Sequence, residues 1–208
     1  MSRKITITQA LTELKLYDSK IRKAVDRAAF VGADRKVSKN IGHMTKEEYE
    51  KKAKADYQSI CDLIANRAQI KSAIARSNAQ TMVEVNGEAM TVTEAIERKN
   101  SIVYDKYLLD ELRSQYTKAV REIQAKNLEI DKQVEHLLDT LAGRESTLTR
   151  ELQETTEQTY RENNAYGLVD ALNASELIAE MQEKIDGFLS QVDVALSISN
   201  ATTFIEVN

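Results

Sequence analysis

The side chains in this sequence whose chemistry suits catalysis or metal binding are two histidines, one cysteine and many carboxylates, and their spacing argues against both uses. His43 follows Gly42, His136 stands far along the chain, and neither has a second His, Cys or carboxylate at a metal-ligand spacing. Surface or structural roles suit them better. Cys61 is the only cysteine, which excludes an intrachain disulfide and fits a reducing compartment. It lies between Ile60 and Asp62 in a helical pattern, where a small buried side chain is the simpler reading than a reactive thiol, which needs an electropositive setting. Glu47, Glu48 and the glutamates beyond Glu122 are spread around helix faces, so no two stand out as general acid and base. The glycines are isolated and form no phosphate loop. The sequence therefore reads as a non-enzyme, with no catalytic residue, metal ligand or cofactor site assigned.

Cations and amides remain. Residues 1–46 hold 11 Lys/Arg against 4 Asp/Glu, residues 47–121 hold 12 against 12, and residues 122–208 hold 6 against 17. At the basic end, Arg35, Lys36 and Lys39 join Arg22, Lys23, Arg27 and Lys46. Phe30 is the one aromatic residue interleaved among them and the whole chain carries −4, which argues against nucleic acid. The asymmetry invites contact between the two ends, within one copy or between copies, or an anionic partner for the basic end; self-association as a homo-oligomer is the first expectation. A protein partner and an anionic nucleotide are the other readings, the latter drawing also on Arg76 and Arg98 beside a hairpin. Asn78 and Asn200 read first as helix-terminating residues that accept the left-handed conformation, and alternatively as ligand-binding amides.

The elements that must position these residues are mostly helices. Proline is absent where average usage of about 5% would supply roughly ten, and there are only six glycines, so helices run long and loops are few. ITIT, from Ile5 to Thr8, alternates as a short strand does and runs into an amphipathic helix extending to Phe30, with Thr6 and Gln9 as a capping box. VGADRKVSKNIGHMT reads as a loop. Thr45 and Glu48 form a second box, opening a helix whose expected inward stripe is Tyr49, Ala53, Tyr57, Ile60, Ile64, Ala68 and Ile74. It ends at SNA before the strand TMVEV, and Asn86-Gly87 then turns the chain into AMTVT. Thr91 and Glu94 make a third box, before a helix from Glu94 to about Ala142. Leu109, Tyr116, Ile123, Ile130 and Leu137 recur every seven residues there, as in a coiled-coil seam, softened by Lys126, Asn127 and Gln133. Gly143 is expected to end it. The polar stretch 144–167, with Leu148, Leu152, Tyr160 and Tyr166, is either an exposed helix or a connector, and a last helix from about Ser175 leads to the strand TTFIEV.

Two echoes link these elements. SNAQTMVEVN, from Ser77, returns as SNATTFIEVN from Ser199, and ITITQAL, from Ile5, returns as MTVTEAI from Met90. The expectation is a mainly α, single domain of two strand-helix-helix-strand repeats, about 4–86 and 89–208, with a helical arm over about 110–172. Long antiparallel, coiled-coil-like helices would return all four strands to one small antiparallel sheet at one end.

The opening T-I-x-x-A-L helix, the S-N-A-x-T junction and the T-V-T-E-A-I-E-R-K helix resemble uncharacterised helical proteins encoded by phages and prophages of Gram-positive bacteria. The words Ser77, Asn78, Ala79, Thr81, Gly87, Thr91, Glu94, Ala95 and Arg98 are also loosely similar to the septicolysin-like family. The resemblance covers the first 110 residues best and implies a helical, oligomeric protein. That family's pore-forming label is not carried over, because no stretch approaches the roughly twenty apolar residues of a spanning helix.

The function expected from these readings is a non-enzymatic helical assembly or protein-interaction protein, phage encoded, with a virion component as one concrete form. The alternative is a phage-encoded inhibitor that sequesters a host defence protein or a nucleotide signal. With no membrane segment and no signal peptide recognised, a cytoplasmic location in the bacterial host is expected, with incorporation in a virion as an alternative.

Overall fold

The computed structural model describes residues 3–144 and 149–207. Its elements are β1 (Arg3–Thr6), α1 (Ile7–Arg27), β2 (Asn40–Ile41), β3 (Met44–Thr45), α2 (Lys46–Asn78), β4 (Met82–Val85), β5 (Glu88–Thr91), α3 (Val92–Arg144), α4 (Arg150–Asn164), α5 (Ala174–Thr202) and β6 (Phe204–Val207). The fold is mainly helical with small antiparallel sheets. By contact the chain divides into two compact units, one running to Asn100 and resuming at Phe188, the other Ser101–Gly187.

Three helices start where their capping boxes place them. The Gln9 N–H donates to Thr6 Oγ1 at 3.2 Å while the Thr6 N–H donates to Gln9 Oε1 at 3.0 Å. The same exchange joins Glu48 to Thr45, at 3.2 and 2.9 Å, and Glu94 to Thr91, at 3.2 and 2.7 Å. Each pair satisfies two backbone donors that a helix start would otherwise leave open. Because Thr6 caps α1, Ile7 and Thr8 are already helical, and the first strand is Arg3–Thr6 rather than Ile5–Thr8.

The expected four-stranded sheet does not form. β1 pairs with β6, β4 with β5, and the tiny β2 with β3 inside the segment read as a loop, where Gly42 turns at φ +59°. Helices do the work that additional strands would have done. Ile5, Ile205 and Val207 of the β1–β6 pair join Ile7, Ala10 and Leu14 of α1 and Ile70, Ala73 and Ile74 of α2 in one core. A two-stranded pair packed on helices needs no further strand.

The repeated words build the same joint twice. Thr81 N–H donates to Ser77 O at 2.9 Å, as Thr203 N–H does to Ser199 O at 2.9 Å. Val92 N–H then donates to Thr81 O at 2.9 Å, as Ile7 N–H does to Thr203 O at 3.0 Å. The registers agree as well: Thr6 faces Phe204 and Ile5 faces Ile205, where Thr91 faces Met82 and Met90 faces Val83. In β4–β5 the turn is Asn86-Gly87, at φ +54° and +77°, and the Asn86 N–H donates to Gln191 Oε1 of α5 at 3.0 Å.

The inward stripe of α2 differs from the expected one. Ile60, Ile70, Ala73 and Ile74 are buried, while Tyr57, Ile64 and Ala68 are exposed. The path Ile60, Leu63, Arg67, Ile70, Ile74 keeps steps of three and four, and Arg67 fits it because its guanidinium reaches Asp18 of α1 at 2.5 Å. On α3, Leu109, Ile130 and Val134 are buried and Tyr116, Ile123 and Leu137 half-buried, and the helix continues through Lys126, Asn127 and Gln133 to Arg144. Within the polar stretch, Arg150–Asn164 form α4, a helix with no buried residue. Leu148 lies outside the described residues.

Candidate functional site

α1 and α2 are clamped together by Asp18 and Arg67, and the hydrogen bond from Arg67 holds the Asp18 carboxyl below the usual carboxylate range. Towards the C-terminus of α1 the interface opens. α1 stops at Arg27, where Ala28 turns extended, so Phe30 lies beyond the helix and sets its ring edge-on to Tyr57, with centroids 6.3 Å apart at 88°. Ala53 is too small to fill the space opposite. The result is an open groove of about 590 Å³ lined by Val25, Phe30, Ala53, Lys54, Tyr57 and Ile60. Its walls are almost wholly apolar, and Tyr57 is 62% exposed. Half-buried Cys61 stands one turn from Tyr57, and hydrogen bonding to it pushes the Tyr57 phenol up.

The basic residues gather around the same loop end of the α1–α2 pair. Arg22, Lys23 and Arg27 are exposed on the last turns of α1, and Arg35, Lys36 and Lys39 are exposed in the connection that follows. That connection is tied down: Lys46 Nζ donates to Arg35 O at 3.0 Å, and the Lys46 N–H donates to Lys39 O at 3.0 Å. Gly32 lets it approach closely, since a Cβ there would fall 2.4 Å from Ile41 Cδ1.

The other expected site residues are not gathered with them. Arg76 is exposed on the last turn of α2, and the Arg98 guanidinium lies 6.0 Å from the centroid of the Phe188 ring. Asn78 and Asn200 are half-buried, and neither takes the left-handed conformation expected of it; among the described residues the non-glycine positions that do are Asn86 and Asn173. The threonine hydrogen bonds to Ser77 and Ser199 close those junctions, leaving the asparagines in ordinary helical geometry. With β1–β6 and β4–β5 separate, there is no shared sheet mouth to join Asn78 to Asn200.

His43 and His136 are both exposed. Among the described residues there is no group of three His, Cys, Asp or Glu placed to hold a metal ion, and no helix is long and apolar enough to cross a membrane.

Two apolar surfaces escaped the sequence reading. On α3, Val103, Tyr104, Tyr107 and Leu108 form one exposed stripe, with both tyrosines 74% exposed. Between α4 and α5, Leu168, Val169 and Leu172 are exposed, Val169 at 98%. The signal for the second was the run AYGLVDAL, which is apolar without helical period.

No protein-family model, curated protein or solved structure matches this chain.

Proposed function

We propose that this chain is a non-enzymatic helical assembly protein that associates chiefly with copies of itself. The observation that carries the reading is the stripe Val103, Tyr104, Tyr107 and Leu108 on α3. Four large apolar side chains at steps of one, three and four residues make a continuous face, and tyrosine is a residue favoured at the centre of protein interfaces. The division of charge along the sequence, basic before residue 47 and acidic after residue 121, supports a like copy as the partner. The matched registers and junction bonds of β1–β6 and β4–β5 support an internal duplication of the strand-helix-helix-strand unit. The phage setting, with a virion component as its concrete form, rests on the sequence resemblance alone.

Light scattering on the purified chain tests the proposal, alone and as the Tyr104→Ser/Tyr107→Ser double variant. The unaltered chain is expected to exceed its monomer mass of 23.5 kDa, and the variant to approach it while keeping its helical circular dichroism. Equal masses for both proteins would remove the stripe from the account.

A further inference from the structure

We propose that the α1–α2 groove seats the segment Tyr166–Leu172 of a second copy of this chain, an inference that rests on the self-association proposed above. The groove is an open apolar seat lined by the perpendicular rings of Phe30 and Tyr57, buried Ile60 and the small Ala53. Such a seat is only partly filled by its own chain, and water against its walls is displaced favourably by another apolar surface.

The segment has the complementary features. Its apolar side chains are exposed on a backbone fixed at both ends. Asn127 donates to Tyr166 O at 3.1 Å and accepts from the Tyr166 N–H at 2.8 Å. Asp170 accepts from the Leu172 N–H at 3.1 Å and the Ala174 N–H at 2.7 Å. Leu168, Val169 and Leu172 are thus presented without the ordering that a free loop would have to undergo on binding.

Charge selects the pairing. Exposed Lys54 lines the groove, whose wall residues Val25 and Phe30 come from the basic stretch before residue 47, while Asp170, Glu162 and Glu176 flank the segment, which lies in the acidic stretch after residue 121. Both sides of the contact are therefore encoded in one sequence, which is why a second copy is the occupant. The contact is heterologous, so two copies close it by mutual exchange or several close it as a ring.

The test uses the full chain with photoreactive benzoylphenylalanine at position 54, as an equal mixture of ordinary and ¹⁵N-labelled copies. Cross-links that join one isotope to the other and map to the peptide containing residues 166–172 are expected. Cross-links to another region, cross-links confined to one isotope, or none in a sample that light scattering shows to be assembled, would overturn the groove contact and leave self-association standing. A chain that is monomeric throughout would instead overturn the self-association reading, and this contact with it. Tyr57→Glu and Val169→Asp provide a second arm, since each places a charge in an apolar contact and should weaken assembly about tenfold or more. Val169 is 98% exposed, so its replacement leaves folding intact; unchanged assembly of the Val169→Asp protein would overturn the proposal.

Discussion

Thr91 and Glu94 hold the first turn of α3 by exchanging hydrogen bonds, as Thr45 and Glu48 do for α2. Both glutamates are held below their ordinary range, chiefly because the threonine N–H donates to the carboxylate. A lowered native pKa means that this stabilisation is fully present above the unfolded value, about 4.3, and is lost as pH falls through the native value. Thr91→Ala should lower stability by about 1 kcal/mol at neutral pH in urea unfolding; it keeps the residue-91 N–H that holds the carboxylate, so the pH test is Glu94→Gln, whose stability gap to the unaltered protein should shrink in acid. A gap that stays constant down to low pH would separate the cap from Glu94. Gly87 offers a purely backbone test: it sits at φ +77° with no neighbour that an added Cβ would meet. Gly87→Ala should therefore cost about 1 kcal/mol, while Gly167→Ala, equally uncrowded and at no positive φ, should be near neutral; equal effects would contradict the turn.

At the scale of elements, the helix starts and the Asn86-Gly87 hairpin were legible because each is decided within four residues. The stripe of α2 was not, because which side faces inward depends on where α1 and the β1–β6 pair lie. Ile64 and Ile74 are the same residue type on one helix and both belong to the expected stripe, yet Ile64 is exposed and Ile74 buried. Ile74→Ala should lower stability by about 3 kcal/mol, against less than about 0.5 kcal/mol for Ile64→Ala, both read from urea midpoints. Comparable losses would restore the straight stripe. Strand partners were equally hidden: the words that form the strands are repeated, but repetition does not say whether two pairs merge, and the β1–β6 pair packs on α1 and α2 instead. The groove was invisible for a further reason. It arises from what Ala53 lacks and from Phe30 lying past the end of α1, neither of which alters the hydrophobic period.

For the molecule as a whole, the division of charge was plain in the sequence, whereas the exposed apolar surfaces were not. Val103 and Tyr107 each fit a helical pattern that burial would equally well explain, and only the exposure of the stripe separates the two. In the proposed assembly, opposed charges on the two ends of the chain would attract between copies, an attraction screened by salt over about 10 Å at 0.1 M ionic strength. Assembly should therefore loosen as salt rises, without disappearing, because the apolar contacts remain. The most direct measurement is sedimentation equilibrium of the unaltered chain from low to high micromolar concentration. Self-association predicts an average mass that climbs above 23.5 kDa with concentration and climbs less steeply in high salt; a constant 23.5 kDa at every concentration would contradict it.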